Sequence, residues 1–203
     1  MNEEQQKAVV EAVLMAAGEP LGLQQIQAVF EDHERPDTLA LQQILDALEE
    51  DYRGRGAELR RVASGYRFQV PADWSRWVSR LWEERPGRYS RAMLETLALI
   101  AYRQPITRGE IEDVRGVTVS TSIVRTLQER GWIRVVGHRD VPGRPALYGT
   151  TREFLDYFNL HSLDQLPSLA EIRDLDSINV ELDFGRGADG PASGDADAPG
   201  AES

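Results

Sequence analysis

The sequence predicts a mainly α-helical α+β protein with small β-hairpins, built from two tandem winged helix-turn-helix domains. Apolar residues recur at helical spacing in several separate stretches of the chain. Each half also contains two short strand-like segments after its third predicted helix. The helix-proline-helix order around Pro20 returns around Pro105, which indicates one domain plan used twice.

In the first half, the pattern predicts three helices and a hairpin. Helices are expected over 3–17 and 37–52, where apolar residues repeat every three or four positions. A short helix between them is expected to bury one apolar face, formed by Leu23, Ile26, Val29 and Phe30. Strand-like segments 59–62 and 66–70 flank a tight turn at Ser64-Gly65. Together these elements form a winged helix.

A further helix is predicted over 72–84, immediately before Pro86-Gly87. It carries a broad apolar stripe of Trp74, Trp77, Val78, Leu81 and Trp82. Such a stripe is more often part of a core, but beside a linker it is also suited to self-association. We therefore expect a homodimer, and Pro86-Gly87 marks the expected domain boundary.

The second half repeats the plan, beginning with a helix over 90–102. Thr107 and Glu110 form a capping box that opens a short helix, expected to bury Ile111 and Val114. The next helix carries an apolar stripe of Val119, Ile123, Val124 and Leu127 and ends at Gly131. A strand over 132–136, a wing loop over 137–146 and a returning strand at 147–148 follow. A second capping box at 150–153 opens a last helix.

The net charge of −11 is distributed unevenly among three regions. The predicted domains 1–85 and 86–170 carry −6 and +2, and the tail 171–203 carries −7. Residues 185–203 contain no large apolar side chain, so we predict that this acidic tail is disordered. An acidic protein attracts neutral or basic partners more readily than bare nucleic acid.

The chain offers no residue pattern for catalysis, and no cofactor is expected. It has no cysteine, and its histidines, His33, His138 and His161, are far apart in sequence, so a metal site is not expected. Neither a nucleophile elbow nor a phosphate-binding loop is present. The N-terminus is polar, and the longest apolar run is too short to span a membrane. We therefore predict a cytoplasmic protein that is not an enzyme.

A DNA-binding transcription regulator is the alternative, because helix-turn-helix domains commonly read the major groove. The predicted recognition helix of the second domain mixes Arg125 and Arg130 with Glu129, which is a weak arrangement for gripping phosphates. Gly143-Arg144-Pro145 resembles the core of a minor-groove hook but has no flanking basic residues, which favours a rigid wing turn. Protein contact is therefore the preferred function.

Two blocks of the sequence resemble the segregation and condensation protein B family. They are LETLALIAYRQPITRGEIEDVRGV at 94–117 and PGRPALYGTT at 142–151, and LDQLP at 163–167 agrees as well. The resemblance covers about residues 5–170. It implies a homodimer, joined through the N-terminal domains, that binds the kleisin named segregation and condensation protein A. Through the kleisin it implies association with the structural-maintenance-of-chromosomes ATPase, at the nucleoid, in chromosome condensation, segregation and cell division.

The resemblance assigns dimerisation to 1–85 and kleisin binding to 86–170, with chromosomal DNA contacted only indirectly. We hypothesise that the kleisin contacts lie at element ends within the matching blocks, at Tyr102, Arg103, Gln104, Arg144 and Tyr148. Packing alone is the alternative role for Tyr102 and Tyr148. No contact with a membrane is expected.

Overall fold

The computed structural model describes residues 1–81 and 89–168, and every element named below lies within these ranges. The predicted boundary at Pro86-Gly87 and the predicted tail lie outside the described residues. Residues Met1–Leu166 form one unit. Within it, each half of the chain has its own hydrophobic cluster, and the two clusters share no residue.

The first half contains helices α1 (Glu3–Ala16), α2 (Leu23–Gln27) and α3 (Thr38–Asp51), then strands β1 (Glu58–Val62) and β2 (Gly65–Gln69). The strands pair antiparallel, with Val62 opposite Gly65. Asn2 and Asp37 cap α1 and α3 by accepting hydrogen bonds from backbone N–H groups of the first turn. The helices and hairpin enclose an apolar cluster of Val10, Leu14, Ile26, Phe30, Leu41, Ile44, Leu45, Leu48, Leu59 and Tyr66.

Over residues 72–81, the predicted helix is instead a series of short turns. Helix α4 (Ser75–Val78) lies between 3-10 turns at Ala72–Trp74 and Ser79–Leu81, and residues 82–84 are outside the described ranges. The side chains of Trp74, Trp77 and Leu81 belong to neither core cluster and are largely exposed. Trp74, Trp77 and Leu81 therefore lie on the surface.

The second half contains α5 (Arg91–Arg103), β3 (Ile106–Thr107), α6 (Arg108–Arg115), α7 (Thr121–Glu129), β4 (Ile133–His138), β5 (Ala146–Thr150) and α8 (Arg152–Tyr157). The antiparallel sheet has the order β3-β5-β4. A final 3-10 turn spans Leu163–Gln165. The second cluster comprises Met93, Leu97, Ile100, Ala101, Ile106, Ile111, Val119, Val124, Leu127, Trp132, Ile133 and Phe154.

Strand β3 was not predicted from the sequence, and it extends the internal repeat. In the first half Leu21 pairs with Tyr66, and in the second half Ile106 pairs with Tyr148. Leu21 and Ile106 each follow a proline and correspond at an offset of 85 residues. A single residue pair carries too little period-2 pattern to be recognised as a strand.

Three local predictions are corrected by the structure. Val29 and Val114, expected to be buried, are 49% and 45% exposed. The second predicted capping box, Thr150 with Glu153, does not form: Thr151 is the N-cap, and its hydroxyl alone accepts a hydrogen bond from the Phe154 N–H. The capping box at Thr107 and Glu110 is confirmed.

Gly65 is required where the hairpin turn passes Leu21. A Cβ built on Gly65 would lie 2.1 Å from the Leu21 carbonyl oxygen, and its φ of +150° also disfavours a side chain. Since the obstacle is backbone, we expect Gly65→Ala to lower the free energy of unfolding of the first half by about 3 kcal/mol. Gly56→Ala is the matched control because no atom lies within 4 Å of its Cβ position. Urea unfolding curves that coincide for the two variants would contradict this account.

Candidate functional site

An open groove of about 360 Å³ lies where α5 ends and α6 begins. Its lining is partly apolar and partly charged: Arg103, Pro105, Ile106, Glu110, Asp113, Val114 and Arg139. Ile106 is buried and anchors the floor of the groove to the second cluster, whereas Val114 is 45% exposed. The groove therefore offers an apolar contact within a charged frame.

Glu110 connects the start of α6 to Arg139, which follows strand β4. The Thr107 N–H and hydroxyl donate hydrogen bonds to its carboxylate, at 2.8 and 2.9 Å, and Arg139 forms an ion pair with it. The Thr107 backbone N–H, then the Arg139 and Thr107 side chains, lower the pKa of Glu110 to about 2. Glu110 and Arg139 are thus engaged with each other, on one side of the groove.

The side chains of Arg103 and Asp113, by contrast, have no hydrogen-bonding or ion-pair partner among residues 1–81 and 89–168. Both side chains are exposed. A guanidinium and a carboxylate that are free at the rim of an apolar groove can each pair with an opposite charge on a partner chain. The groove therefore suits a polypeptide with both apolar and charged side chains.

The end of α5 is fixed against β5 by Gln104. Its Oε1 accepts a hydrogen bond from the Thr150 N–H at 2.7 Å, and its Nε2 donates to Thr150 Oγ1 at 3.0 Å. A Cβ at Gly149 would lie 3.0 Å from Gln104 Oε1 and 3.1 Å from Val136, so a glycine allows this close approach. Gln104 thereby orients Arg103 at the groove.

Only one of the five predicted contact residues, Arg103, lines the groove. Tyr102 precedes it and is half-buried, Gln104 is engaged with β5, and Tyr148 is half-buried opposite Ile106. Arg144 lies in the turn between β4 and β5 with a φ of 38°. Its exposed side chain has no ion-pair partner within the described part of the chain. The assignment of these residues to a partner stays a prediction.

Sequence reasoning missed six of the seven groove residues: Pro105, Ile106, Glu110, Asp113, Val114 and Arg139. The long wing loop brings Arg139 to Glu110, a contact across 29 positions that no local pattern predicts. Val114 was assigned to the core from its spacing after Ile111. A signal was available for Asp113, since it lies on the face of α6 opposite the buried Ile111.

A second candidate surface lies in the first half and is here called the tryptophan surface: Val70, Trp74, Trp77 and Leu81. These side chains are 45%, 43%, 55% and 77% exposed. The rings of Trp74 and Trp77 are 5.7 Å apart, and Arg76 lies over Trp77. Exposed apolar patches of this kind mark contact sites between proteins.

Comparison with known proteins decides the family. The model of the segregation and condensation complex subunit ScpB family matches residues 8–169. The segregation and condensation protein B homolog of Coxiella burnetii is 56% identical over 183 residues, which covers 90% of this chain and 87% of the relative. The chain belongs to the ScpB family. Segregation and condensation protein B of Syntrophotalea carbinolica is 44% identical, covering 91% of this chain and 93% of the relative.

Two solved structures are also similar to this chain. The crystal structure of ScpB from Mycobacterium tuberculosis is 32% identical and covers 79% of this chain and 98% of its own, with a TM-score of 0.37. A conserved hypothetical protein from Chlorobium tepidum is 37% identical, with coverages of 78% and 98% and a TM-score of 0.36. Family membership confirms the resemblance seen in the sequence, and it supports a role in the segregation and condensation complex. The helices and small antiparallel sheets of the chain itself confirm the predicted α+β fold class.

In this ScpB family member, several arginines that a DNA reader would turn toward phosphates are already engaged. Arg125 pairs with Glu129 at 2.7 Å, and Arg139 pairs with Glu110. Arg130 lies 4.7 Å from the ring centre of Tyr89 and donates a hydrogen bond to its hydroxyl. The basic residues of α7 and the wing are thus partly neutralised, which weakens electrostatic attraction to DNA.

The described residues of this chain contain no group of three or more His, Asp or Glu side chains arranged to hold a metal ion. Within the same ranges, no helix has the length and hydropathy needed to cross a membrane.

The capping contacts of Glu110 predict a pH dependence. Because the folded-state pKa of about 2 is below the ordinary 4.5, the contribution of this carboxylate is complete above pH 4.5 and is lost as pH falls toward 2. We expect it to be about 1 kcal/mol or less, since Glu110 is 42% exposed. Thermal unfolding from pH 7 to pH 2 should show a smaller loss for Glu110→Gln than for the unmodified chain. Equal losses would contradict the assignment.

Proposed function

We propose that this protein is a non-catalytic subunit of the bacterial condensin-like complex. In this proposal a homodimer binds the kleisin, segregation and condensation protein A, and through it joins the structural-maintenance-of-chromosomes ATPase. The complex acts in the cytoplasm at the nucleoid, in chromosome condensation and segregation during cell division, and this subunit touches chromosomal DNA only indirectly. Family membership supports the complex, and the groove beside α5 supports binding of a polypeptide.

The observation that carries kleisin binding is the pair of unsatisfied charges at the groove rim. Arg103 and Asp113 flank the exposed apolar contact of Val114, while Glu110 and Arg139 fix the frame. A preorganised frame reduces the ordering required on binding, which favours affinity. We therefore place the kleisin on the predicted domain 86–170.

We assign self-association to the predicted domain 1–85, through the tryptophan surface. The groove beneath Trp74 is lined by three acidic and three basic side chains, Glu49, Glu58, Asp73, Arg53, Arg55 and Arg60. A two-fold axis places the same patch opposite itself, so a rim of both signs can pair with its own copy. The equal number of acidic and basic side chains therefore supports a second copy of the chain as the partner that covers this surface, even though residues 1–85 as a whole are acidic.

Co-expression with the kleisin from the same organism tests the proposal. The chain alone should elute with light scattering at twice 22.8 kDa, and with the kleisin it should elute in one complex of fixed stoichiometry. A monomer that elutes apart from the kleisin would contradict both the dimer and the partner.

A further inference from the structure

The hairpin of the first half contacts the last helix of the second half through polar groups. At the β1–β2 turn, the Ser64 N–H donates to Asp156 Oδ1 at 2.9 Å, and the Ser64 hydroxyl donates to Oδ2 at 2.6 Å. Both oxygens of one carboxylate therefore receive hydrogen bonds from a single turn residue. Hydrogen bonds to an ionised acceptor are among the stronger ones in proteins.

Arg67, on strand β2 three residues after Ser64, adds two further hydrogen bonds to the contact. Its Nη2 donates to the Asp156 carbonyl oxygen at 2.9 Å and to Asn159 Oδ1 at 2.6 Å. Asn159 has a φ of 57°, at the point where the chain leaves α8. The guanidinium thus satisfies a carbonyl at the C-terminal end of a helix, where cations are favoured.

Both sides of this contact are held rigidly by their own halves. The hairpin is tied to the first core through the Leu21–Tyr66 bridge and the close approach at Gly65. Helix α8 is tied to the second core by the buried Phe154, and the Tyr157 hydroxyl is 2.7 Å from that of Tyr89. A contact between two rigid bodies determines their orientation.

We propose that Ser64, Arg67, Asp156 and Asn159 form a polar latch that holds the two winged helices in one orientation and can be released. The two hydrophobic clusters share no residue, and all four members of the latch are polar. Opening the latch exposes groups that water can satisfy, so its release leaves both cores intact. If the proposed dimer and kleisin sites are correct, the latch also sets the direction of the kleisin groove relative to the dimer axis.

Distance measurements between two spin labels test the latch directly. The chain contains no cysteine, so Gln43→Cys and Gln128→Cys, one exposed position in each half, take the labels uniquely. The labelled chain is mixed with an excess of unlabelled chain, so that the distance is measured within one molecule whether or not it dimerises. The latched protein should give a narrow distribution. Asp156→Ala and Arg67→Ala should each broaden it roughly twofold, as expected for halves freed to move.

Glu153→Ala is the matched control, because it removes a carboxylate from the same helix without touching the hairpin. Its distribution should equal that of the unmodified sequence, and thermal unfolding should show that every variant remains folded. Two results would overturn the proposal: an unchanged distribution in both latch variants, or a distribution that is already broad without any substitution in the latch.

Discussion

We expect Trp77→Glu to convert the proposed homodimer to a monomer at micromolar concentration. Trp77 is 55% exposed, its ring lies 5.7 Å from that of Trp74, and it lies between Trp74 and Leu81 in the sequence of the tryptophan surface. An aromatic residue central to an interface contributes about 2–4 kcal/mol, which corresponds to roughly 30- to 700-fold in the dimer dissociation constant. A carboxylate buried at the same point would add a desolvation cost. Analytical ultracentrifugation over a concentration series measures the change.

Leu39→Glu is the control for this substitution. Leu39 is 70% exposed, and it lies near the start of α3, whereas Tyr52, which lines the groove beneath Trp74, follows the end of that helix. The two ends of α3 are about 20 Å apart. The control should remain a dimer with the unmodified dissociation constant. A Trp77→Glu variant that dimerises as tightly as the control would remove the tryptophan surface from the interface.

Charge reversal at Arg103 is expected to weaken kleisin binding by about 10- to 100-fold, or 1.4–2.8 kcal/mol. The substitution replaces a free cation at the groove with an anion beside Asp113 and Glu110. Since Arg103 has no partner among the described residues, Arg103→Glu should leave thermal unfolding nearly unchanged. Isothermal titration with purified kleisin measures the loss.

Arg152→Glu is the matched control, because Arg152 is exposed, has no ion-pair partner within the described ranges and does not line the groove. It makes the same change in net charge and should bind kleisin as the unmodified chain does. Arg144→Glu, measured in parallel, tests whether the wing turn also contacts the kleisin. Equal weakening by Arg103→Glu and Arg152→Glu would indicate long-range electrostatics rather than a contact in the groove.

Most of the helices and both hairpins could be predicted from the sequence, because each is determined by the spacing of apolar residues and the capping or turn residues within its own segment. The α3 stripe of Leu41, Ile44, Leu45 and Leu48 is buried as its spacing predicts. The capping box at Thr107 also forms as predicted, because it depends on two residues three positions apart. Burial at the ends of short helices was less predictable. Val29 and Val114 fit the apolar spacing of their predicted helices but are exposed, although Phe30 and Ile111 of the same predicted stripes are buried.

The candidate site was predictable only at Arg103, since the groove is assembled from segments far apart in sequence. Local pattern identified the end of α5, but it did not predict that the Gln104 amide is bonded to Thr150, 46 positions away. The same limit applies to the contact between Ser64 and Asp156, which spans 92 positions. Contacts at this separation follow from the fold and not from any sequence window.

Parallel binding measurements with labelled kleisin and with labelled duplex DNA, at the same physiological salt, test the central claim most directly. This claim is that the two winged helices bind polypeptides and do not read DNA sequence. We predict a saturable complex with kleisin, and feeble duplex binding that has no sequence preference and falls steeply with added salt. Nanomolar binding to one defined duplex, together with no binding to kleisin, would contradict the account and favour a transcription regulator.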